Sequence, residues 1–257
     1  MGMPCSDNEQ FLHIDELKSQ LDAHRPLSVG EITRLRDEFV INYTYNSNAI
    51  EGSSLTLRET ALALEGITVD KRPLRDHLSA VGHRDAFCYI ENLISDKQLL
   101  SERVIREIHS LVLLDMPPED RGRYRRIPVY ITGAHHQPPQ PYLVAKQMEQ
   151  LLLDYADTNL RHVIERVAWF HLTFEGIHPF IDGNGRTGRL ILNFDLMQNG
   201  YPPIDIKFTD RRRYYDAFDS YYRDNDIAVM LNLVAEYIEE RLRQYMDICD
   251  KIEEDNG

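Results

Sequence analysis

Apolar residues recur every three or four positions along most of the chain, the spacing that lines one face of an α-helix. Within residues 28–51, Ile32, Leu35 and Phe39 follow this spacing, and a Gly-Ser stretch then ends the run. The same periodicity predicts further helices over residues 11–21, 56–66, 76–95, 101–114, 143–155, 160–175, 186–198, 211–222 and 227–247. The pattern therefore predicts an all-α fold.

Residues 122–142 depart from the helical pattern. Val129 and Ile131 lie two positions apart, as on one face of a strand, and Gly133 and a proline-rich return follow. We expect a small β-hairpin here. Its prolines place it at an edge, because proline has no N–H to donate to a β-ladder.

Composition agrees with a folded protein of one main domain. The 257 residues are 42% hydrophobic and 28% charged, which is ordinary for globular chains. We expect an N-terminal helical segment over residues 1–80 and a core domain over 81–250. The three cysteines are far apart, which argues against a zinc site or a disulfide framework and favours the reducing cytoplasm.

Charge limits the partners that this chain is expected to bind. The net charge is −13, so the surface repels nucleic acid and anionic membranes at long range. No apolar run approaches the roughly 18–20 residues that cross a bilayer. We therefore expect no nucleic-acid or membrane partner, and a nucleotide ligand would need a local cluster of positive groups.

Residues 178–189, with the sequence HPFIDGNGRTGR, contain such a cluster. Gly183 and Gly185 let the backbone approach a ligand closely, and they precede a predicted helix whose N–H groups favour an anion. Arg186 and Arg189 are three positions apart, so they share a face of that helix. Two guanidinium groups beside exposed amides make a polyphosphate site.

The same segment supplies an acid–base group and a metal ligand. Asp182 is a hard oxygen donor of the kind Mg²⁺ takes together with phosphate oxygens. His178 titrates near neutral pH and is placed to accept a proton from a hydroxyl group. Each feature alone is more often structural, but together they describe transfer of a phosphorus group to an alcohol.

The segment matches HPFx[DE]GNGRxxR, the signature of the Fic family, at every specified position. The chain resembles this family from about residue 80 onward. The resemblance implies a Fic-type helical core with a β-hairpin flap over the active site. The flap would correspond to residues 122–142, where an extended segment of a target protein would dock.

The resemblance also implies individual roles. His178 matches the general base, and Asp182 matches the magnesium ligand. The residues that match nucleotide-binding positions are Gly183, Asn184, Gly185, Arg186, Arg189, Tyr214 and Tyr215. Among them, Arg189 would lie nearest the γ-phosphate, and the two tyrosines would flank the adenine. Many members carry an Asn close to position 222, where this chain has Tyr222.

Upstream, Ser47 to Gly52 match the inhibitory pattern [ST]-x-x-x-E-[GN] found in many Fic proteins. Ser47 and Glu51 are four positions apart, on one helical face. A Glu51 carboxylate at Arg189 would occupy the arginine that the γ-phosphate needs. This assigns an inhibitory helix to residues of about 28–52, while the plainer alternative is that Glu51 ends a surface helix.

The resemblance implies a protein adenylyltransferase that moves AMP from ATP to a protein hydroxyl, with Mg²⁺ as cofactor and Glu51 as inhibitor. The acceptor would be a target protein or the chain itself. One alternative is a Fic-fold de-AMPylase or another phosphate-group transferase. Another is a non-enzymatic nucleotide-binding regulator, and a homo-oligomer also stays open.

Overall fold

The computed structural model of the chain describes residues 5–24, 29–131, 136–157 and 162–256. In these ranges the ordered elements are helical, and the predicted all-α fold is confirmed. The helices are α1 (Cys5–Ala23), α2 (Val29–Ile50), α3 (Leu57–Leu64), α4 (Leu74–Ser95), α5 (Glu102–Val112), α6 (Pro141–Ala156), α7 (Val163–Ile177), α8 (Asn184–Gln198), α9 (Arg211–Asp224) and α10 (Ala228–Asn256). A 3₁₀ turn, Phe208–Asp210, leads into α9.

Helices α7 and α8 form the centre of the molecule because each contributes side chains to two hydrophobic cores. Leu172 and Leu192 belong to a core shared with α1, α9 and α10. Phe174 and Leu190 belong to a second core shared with α2, α4, α5 and α6. Each fully buried side chain of this size contributes about 1.5–3 kcal/mol relative to exposure. The loop between α7 and α8 is therefore held by both cores.

Helix α8 is buried around nearly its whole circumference, including its polar side chains. Asp195 accepts two hydrogen bonds from Arg166 on α7, at 2.7 and 3.1 Å, and both residues are buried. Removing one partner from such a pair leaves an uncompensated buried charge, which costs about 3–5 kcal/mol. The pair fixes the register of α7 against α8.

The predicted hairpin flap is not supported. Residues 122–131 and 136–140, the described part of the expected flap before α6 begins, contain no strand. Prolines remove the backbone donors that a ladder needs. The Arg125 side chain instead donates to the carbonyls of Ile127 and Pro139. The predicted turn at Gly133 lies outside the described residues.

Several predicted boundaries differ from the observed ones. Helix α1 begins at Cys5 and α10 extends to Asn256. The expected division between residues 1–80 and 81–250 falls within α4, and it stays a prediction. Residue 28 and residues 160–161, at the predicted starts of α2 and α7, lie outside the described residues. None of the described helices combines the length and apolar content needed to cross a membrane.

Candidate active site

The segment between α7 and α8 begins with a sharp reversal at His178. This residue adopts a left-handed conformation (φ 48°, ψ 60°), and its N–H donates to the carbonyl of Phe174 at 3.0 Å. Such a residue ends a helix efficiently, although a side chain there costs about 1–2 kcal/mol. Pro179 follows and cannot continue the helix. His178 therefore lies at the end of a buried helix, with its backbone in a conformation that needs support.

Asn184 closes the loop. Its side-chain oxygen accepts from the N–H of Phe180 and its amide donates to the carbonyl of the same residue, both at 2.9 Å. Because the Asn184 side chain is buried in this contact with Phe180, its backbone N–H is the group that we expect to face a ligand. The loop is thus closed by its own side chain before any ligand binds.

The first turn of α8 is the place where the sequence predicted an anion site. Gly183 precedes the helix with φ 75°, which glycine adopts without strain. The first N–H groups of a helix have no partner within it and favour negative charge. A β-carbon at Gly185 would lie 2.2 Å from Oε1 of Glu51, so only glycine lets that carboxylate approach the turn. The described structure thus has a carboxylate against the predicted phosphate site.

Asp182 lies at the open side of this turn. Its side chain is 57% exposed, and its Oδ1 accepts from the N–H of Gly183 at 2.6 Å and lies 3.6 Å from Nη2 of Arg186. The described residues contain no group of three or more His, Cys, Asp or Glu that could hold a metal. A single exposed carboxylate fits Mg²⁺, which keeps water and phosphate oxygens among its ligands.

The two arginines of the motif are both buried, but they contact different helices. Arg186 donates from Nη1 to Oγ of Ser79 on α4 at 3.1 Å. Its Nε is buried and has no hydrogen-bond partner in the described part of the chain. Arg189 instead reaches α2. The three-residue spacing of Arg186 and Arg189 predicted that they share a helical face. It did not predict that they bond to different helices, α4 and α2.

Arg189 has a partner for each of its nitrogens. Nε donates to Oγ of Ser47 at 3.0 Å, and Nη2 donates to the Ser47 carbonyl and to Oε1 of Glu51, both at 2.8 Å. Nη1 donates to the hydroxyl of Tyr214 at 3.3 Å. Ser47 and Glu51 thus contact the same guanidinium. Their four-residue spacing predicted a shared helical face, and the contact of Ser47 with Arg189 was not predicted.

Tyr214 lies behind Arg189, away from solvent. Its hydroxyl is 2.6 Å from Nε2 of His171. Burial, followed by the charge of Arg189, lowers the pKa of His171 to about 3. The imidazole is therefore neutral, and its Nε2 accepts a hydrogen bond from the Tyr214 hydroxyl group. A buried Tyr214 supports Arg189. Tyr215, which is 46% exposed and donates to the carbonyl of Ile50 at 3.1 Å, is the more accessible of the two.

Glu175 and His178 are adjacent on the last turn of α7, with Oε2 and Nδ1 separated by 3.8 Å. Burial, reinforced by the charge of Glu51, raises the pKa of Glu175 to about 8. Burial also lowers the pKa of His178. At neutral pH the site therefore holds a protonated carboxyl group beside a neutral imidazole. Nothing in the sequence distinguishes Glu175 from an ordinary helical glutamate, because its raised pKa depends on burial.

His109 on α5 was also missed. Its Nδ1 accepts from the N–H of Gly122 at 2.9 Å, so its Nε2 carries the proton and donates to the carbonyl of Asp182, also at 2.9 Å. Burial lowers its pKa to about 4, and its ring stacks on Phe180 at 3.6 Å. His109 ties the loop before α8 to residue 122. In the sequence it lies on the apolar face of an amphipathic helix, where nothing distinguishes it from a core histidine.

The segment from His178 to Arg189 lies within a part of the chain that matches a known protein family. Residues 99–196 match the family model described as the Fic/DOC family. Curated relatives named "Protein adenylyltransferase Fic" occur in Nematostella vectensis (34% identical over 244 residues) and Drosophila grimshawi (32% over 243 residues). Each alignment covers 93% of this chain, but only 56% and 50% of the relatives. The chain thus spans about half the length of the curated relatives it matches.

Solved structures show the same architecture. Fic-1 from C. elegans superposes with a TM-score of 0.86 at 27% identity, covering 95% of this chain and 73% of that chain. A Fic domain-containing signaling protein from Bacteroides thetaiotaomicron gives a TM-score of 0.82 at 27% identity, with 94% and 98% coverage. The similarity therefore extends over nearly all of the chain, well beyond the motif.

Proposed function

Because the chain belongs to the Fic/DOC family, we propose that it is a protein adenylyltransferase, restrained by Glu51, that transfers AMP from ATP to a protein hydroxyl. The observation that carries this proposal is the placement of a neutral imidazole beside an anion-binding helix start. His178 ends α7 and Gly183 opens α8, on the two sides of one closed loop. A proton acceptor and a phosphate site are thereby held next to each other.

The nucleotide would bind along the first turns of α8. The backbone amides of Asn184 and Gly185 would hold phosphate oxygens, as would that of Gly183 once it leaves Oδ1 of Asp182. The unpaired Nε of Arg186 would donate to the same oxygens. The guanidinium of Arg189 would take the γ-phosphate. Tyr215, on α9, is the accessible ring for the base, with the buried Tyr214 supporting Arg189 from behind.

Asp182 would hold Mg²⁺, which supplies charge neutralisation to the phosphates when bound. The transfer itself would proceed by attack of the acceptor hydroxyl on ATP, with His178 as the proton acceptor. The acceptor oxygen attacks the α-phosphorus of ATP, a new P–O bond forms, and the bond to the β-phosphate oxygen breaks to release pyrophosphate. The neutral imidazole of His178 takes the proton of the hydroxyl group. In-line geometry depends on where the γ-phosphate is anchored.

Glu51 would restrain this reaction by occupying Arg189. In the described state the carboxylate accepts from Nη2 of Arg189 at 2.8 Å and lies over Gly185. ATP would then bind without its γ-phosphate on Arg189, and its α-phosphorus would be misaligned for attack. The inhibitory helix is α2, which ends at Ile50, directly before Glu51.

A target protein would dock along the described residues 122–131 and 136–140, and the chain itself would be a second acceptor. The N–H of Arg125 donates to the carbonyl of Pro179 at 2.9 Å, so this segment borders the loop of His178. An extended target would hydrogen-bond to the backbone groups of this segment, and backbone contacts of that kind carry little side-chain selectivity. The three widely spaced cysteines fit a reducing compartment, and we place the protein in the cytoplasm.

The test is incubation of the purified chain with Mg²⁺ and ATP labelled at either the α- or the γ-phosphate. Wild type and Glu51→Gly would be compared, with mass spectrometry of the modified protein. Incorporation of α-label but not γ-label supports the proposal. Incorporation of γ-label would indicate a kinase instead, and nucleotide binding without any incorporation would indicate a regulator. Release of AMP from modified protein by wild type, but not by Glu51→Gly, would indicate a de-AMPylase.

A further inference from the structure

Arg125 is a buried arginine whose guanidinium contacts backbone carbonyls. Nε donates to the carbonyl of His178 at 2.8 Å, and Nη1 donates to that of Ile127 at 3.2 Å. Nη2 donates to the carbonyl of Pro139 at 2.5 Å and lies 3.5 Å from that of Ile177. Arg125 is only 4% exposed, and no carboxylate pairs with it in the described ranges.

Burying a cation without a counter-ion is unfavourable unless hydrogen bonds satisfy its donors. Burial accordingly lowers the pKa of Arg125. A hydrophobic residue of similar size would avoid this cost if the position served packing alone. What the guanidinium adds is geometry, because its rigid fork reaches several carbonyls at once. It joins the end of α7 to both described limbs of the segment before α6, residues 122–131 and 136–140.

The contact with His178 supports a strained conformation. His178 has positive φ, and its imidazole direction follows from the orientation of that peptide. Arg125 binds two successive carbonyls there, that of His178 through Nε and that of Pro179 through its own N–H. Small rotations of either peptide would move the imidazole relative to the first turn of α8. The clamp therefore acts on the position of the ring.

We propose that Arg125 is a positioning residue that holds the His178 peptide so that the imidazole faces the acceptor hydroxyl, and couples this position to the target-binding segment. The inference rests on the proposed transfer of AMP. Arg125 does not touch the reacting atoms. It acts through the backbone of His178 and through the carbonyls of Ile127 and Pro139.

Besides positioning the His178 peptide through hydrogen bonds, Arg125 favours the neutral form of the imidazole through its positive charge. The groups that act on the His178 imidazole are the backbone of Glu175 on α7, the carboxylates of Glu51 and Asp182, and the guanidinium of Arg125. The Glu175 carboxyl group, which also faces the ring, is protonated at neutral pH. The positive charge of Arg125 lowers the pKa of His178, whereas the negative charges of Glu51 and Asp182 raise it. Since the proposed reaction needs the neutral ring, Arg125 keeps His178 ready to accept a proton.

The first test measures kcat and the KM for ATP in the full chain carrying Glu51→Gly, with and without Arg125→Met. We expect kcat to fall about 10- to 100-fold, as for a displaced reacting group, with the KM for ATP changed less than about twofold. Arg106→Met is the matched control. Arg106 donates from Nε to the carbonyl of Gly122 at 2.6 Å, so it anchors the same segment without touching His178. An equal loss in both variants would overturn the proposal, because the effect would then be general loosening.

Arg125→Lys separates charge from geometry. A lysine keeps the positive charge, but its single ammonium cannot reach the same set of carbonyls. We expect kcat to fall about 3- to 10-fold, between wild type and Arg125→Met. Wild-type kcat in the lysine variant would overturn the clamping role. This variant also decides the question if Arg125→Met fails to fold, which thermal unfolding would reveal.

A second readout does not depend on activity. The pKa of His178 can be followed by NMR in chains labelled at histidine. Arg125→Met should raise this pKa by about 0.5 or more, while Arg125→Lys and Arg106→Met leave it near the wild-type value. An unchanged pKa in Arg125→Met would contradict the proposal even if no AMP transfer were found. A shifted pKa in a chain that transfers no AMP would reject only the proposed function.

Discussion

Arg189 and Glu51 are 138 positions apart in the chain, yet Nη2 of one donates to Oε1 of the other at 2.8 Å. The pair is asymmetric, since the Arg189 side chain is 2% exposed and that of Glu51 is 35% exposed. The buried cation needs an anionic partner, whereas the carboxylate can return to water at lower cost. A phosphate group could therefore replace Glu51 at Arg189.

We predict that Glu51→Gly increases self-AMPylation about tenfold or more. Removing the carboxylate frees Arg189 for the γ-phosphate, and about 1.4 kcal/mol of relieved competition already gives tenfold. The measurement is incorporation of α-labelled AMP into the chain itself. The double variant Glu51→Gly, Arg189→Ala should lose the gain.

Glu65→Gly is the matched control for this experiment. Glu65 is also exposed and also stands at the end of a helix, α3, but it does not contact Arg189 in the described structure. It should transfer AMP at the wild-type rate. If Glu51→Gly is no faster than this control, Glu51 only ends a helix.

His178→Ala should abolish AMP transfer and leave ATP affinity within about twofold, because the phosphates are held elsewhere. The pH profile offers a finer check. Burial lowers the pKa of His178 below its usual 6.5, so the neutral base persists into mildly acidic solution. The acidic limb of kcat should therefore lie below pH 6.5. A limb at higher pH would show that a different group accepts the proton.

Asp182→Ala should raise the magnesium concentration needed for half-maximal transfer by about tenfold or more. The change removes the exposed carboxylate at the start of α8. Asp120→Ala, outside this turn, provides the control. Titration of magnesium at fixed ATP checks the prediction, and identical titration curves for wild type and Asp182→Ala would contradict it.

Glu175 should make the protein less stable as pH rises. Its folded-state pKa is about 8, above the ordinary 4.5, so between these values the folded state keeps a proton that the unfolded state has lost. The free energy of unfolding then falls with pH across that window, by up to roughly 1.4 kcal/mol per unit of pKa difference. Glu175→Gln cannot titrate and should lose this dependence.

The measurement is Tm at pH 4.5 and pH 8.5 for wild type, Glu175→Gln and the exposed control Glu149→Gln. Glu175→Gln should have a higher Tm than wild type at pH 8.5, by several degrees for a chain of this size. Glu149→Gln should follow wild type at both pH values. Parallel behaviour of all three chains would show that Glu175 is ionised in the folded protein.

The sequence by itself determined the helices and the loop between α7 and α8. Helices follow from a periodicity that is local, and the turn at residue 183 follows from a glycine that can take positive φ. The spacing of Ser47 and Glu51 was equally readable, and both side chains do meet one arginine. These features depend on residues only a few positions apart in the chain, and a sequence pattern can show interactions over that distance.

The tertiary structure decided what those residues contact. Packing of α4 against α8 brings Ser79 to Arg186. The approach of residues 122–131 and 136–140 to the end of α7 gives Arg125 its carbonyl partners in place of a hairpin ladder. Burial sets the protonation of Glu175 and His178. Neither long-range contact nor desolvation has a local signature, because both arise only when distant helices exclude water from the same place.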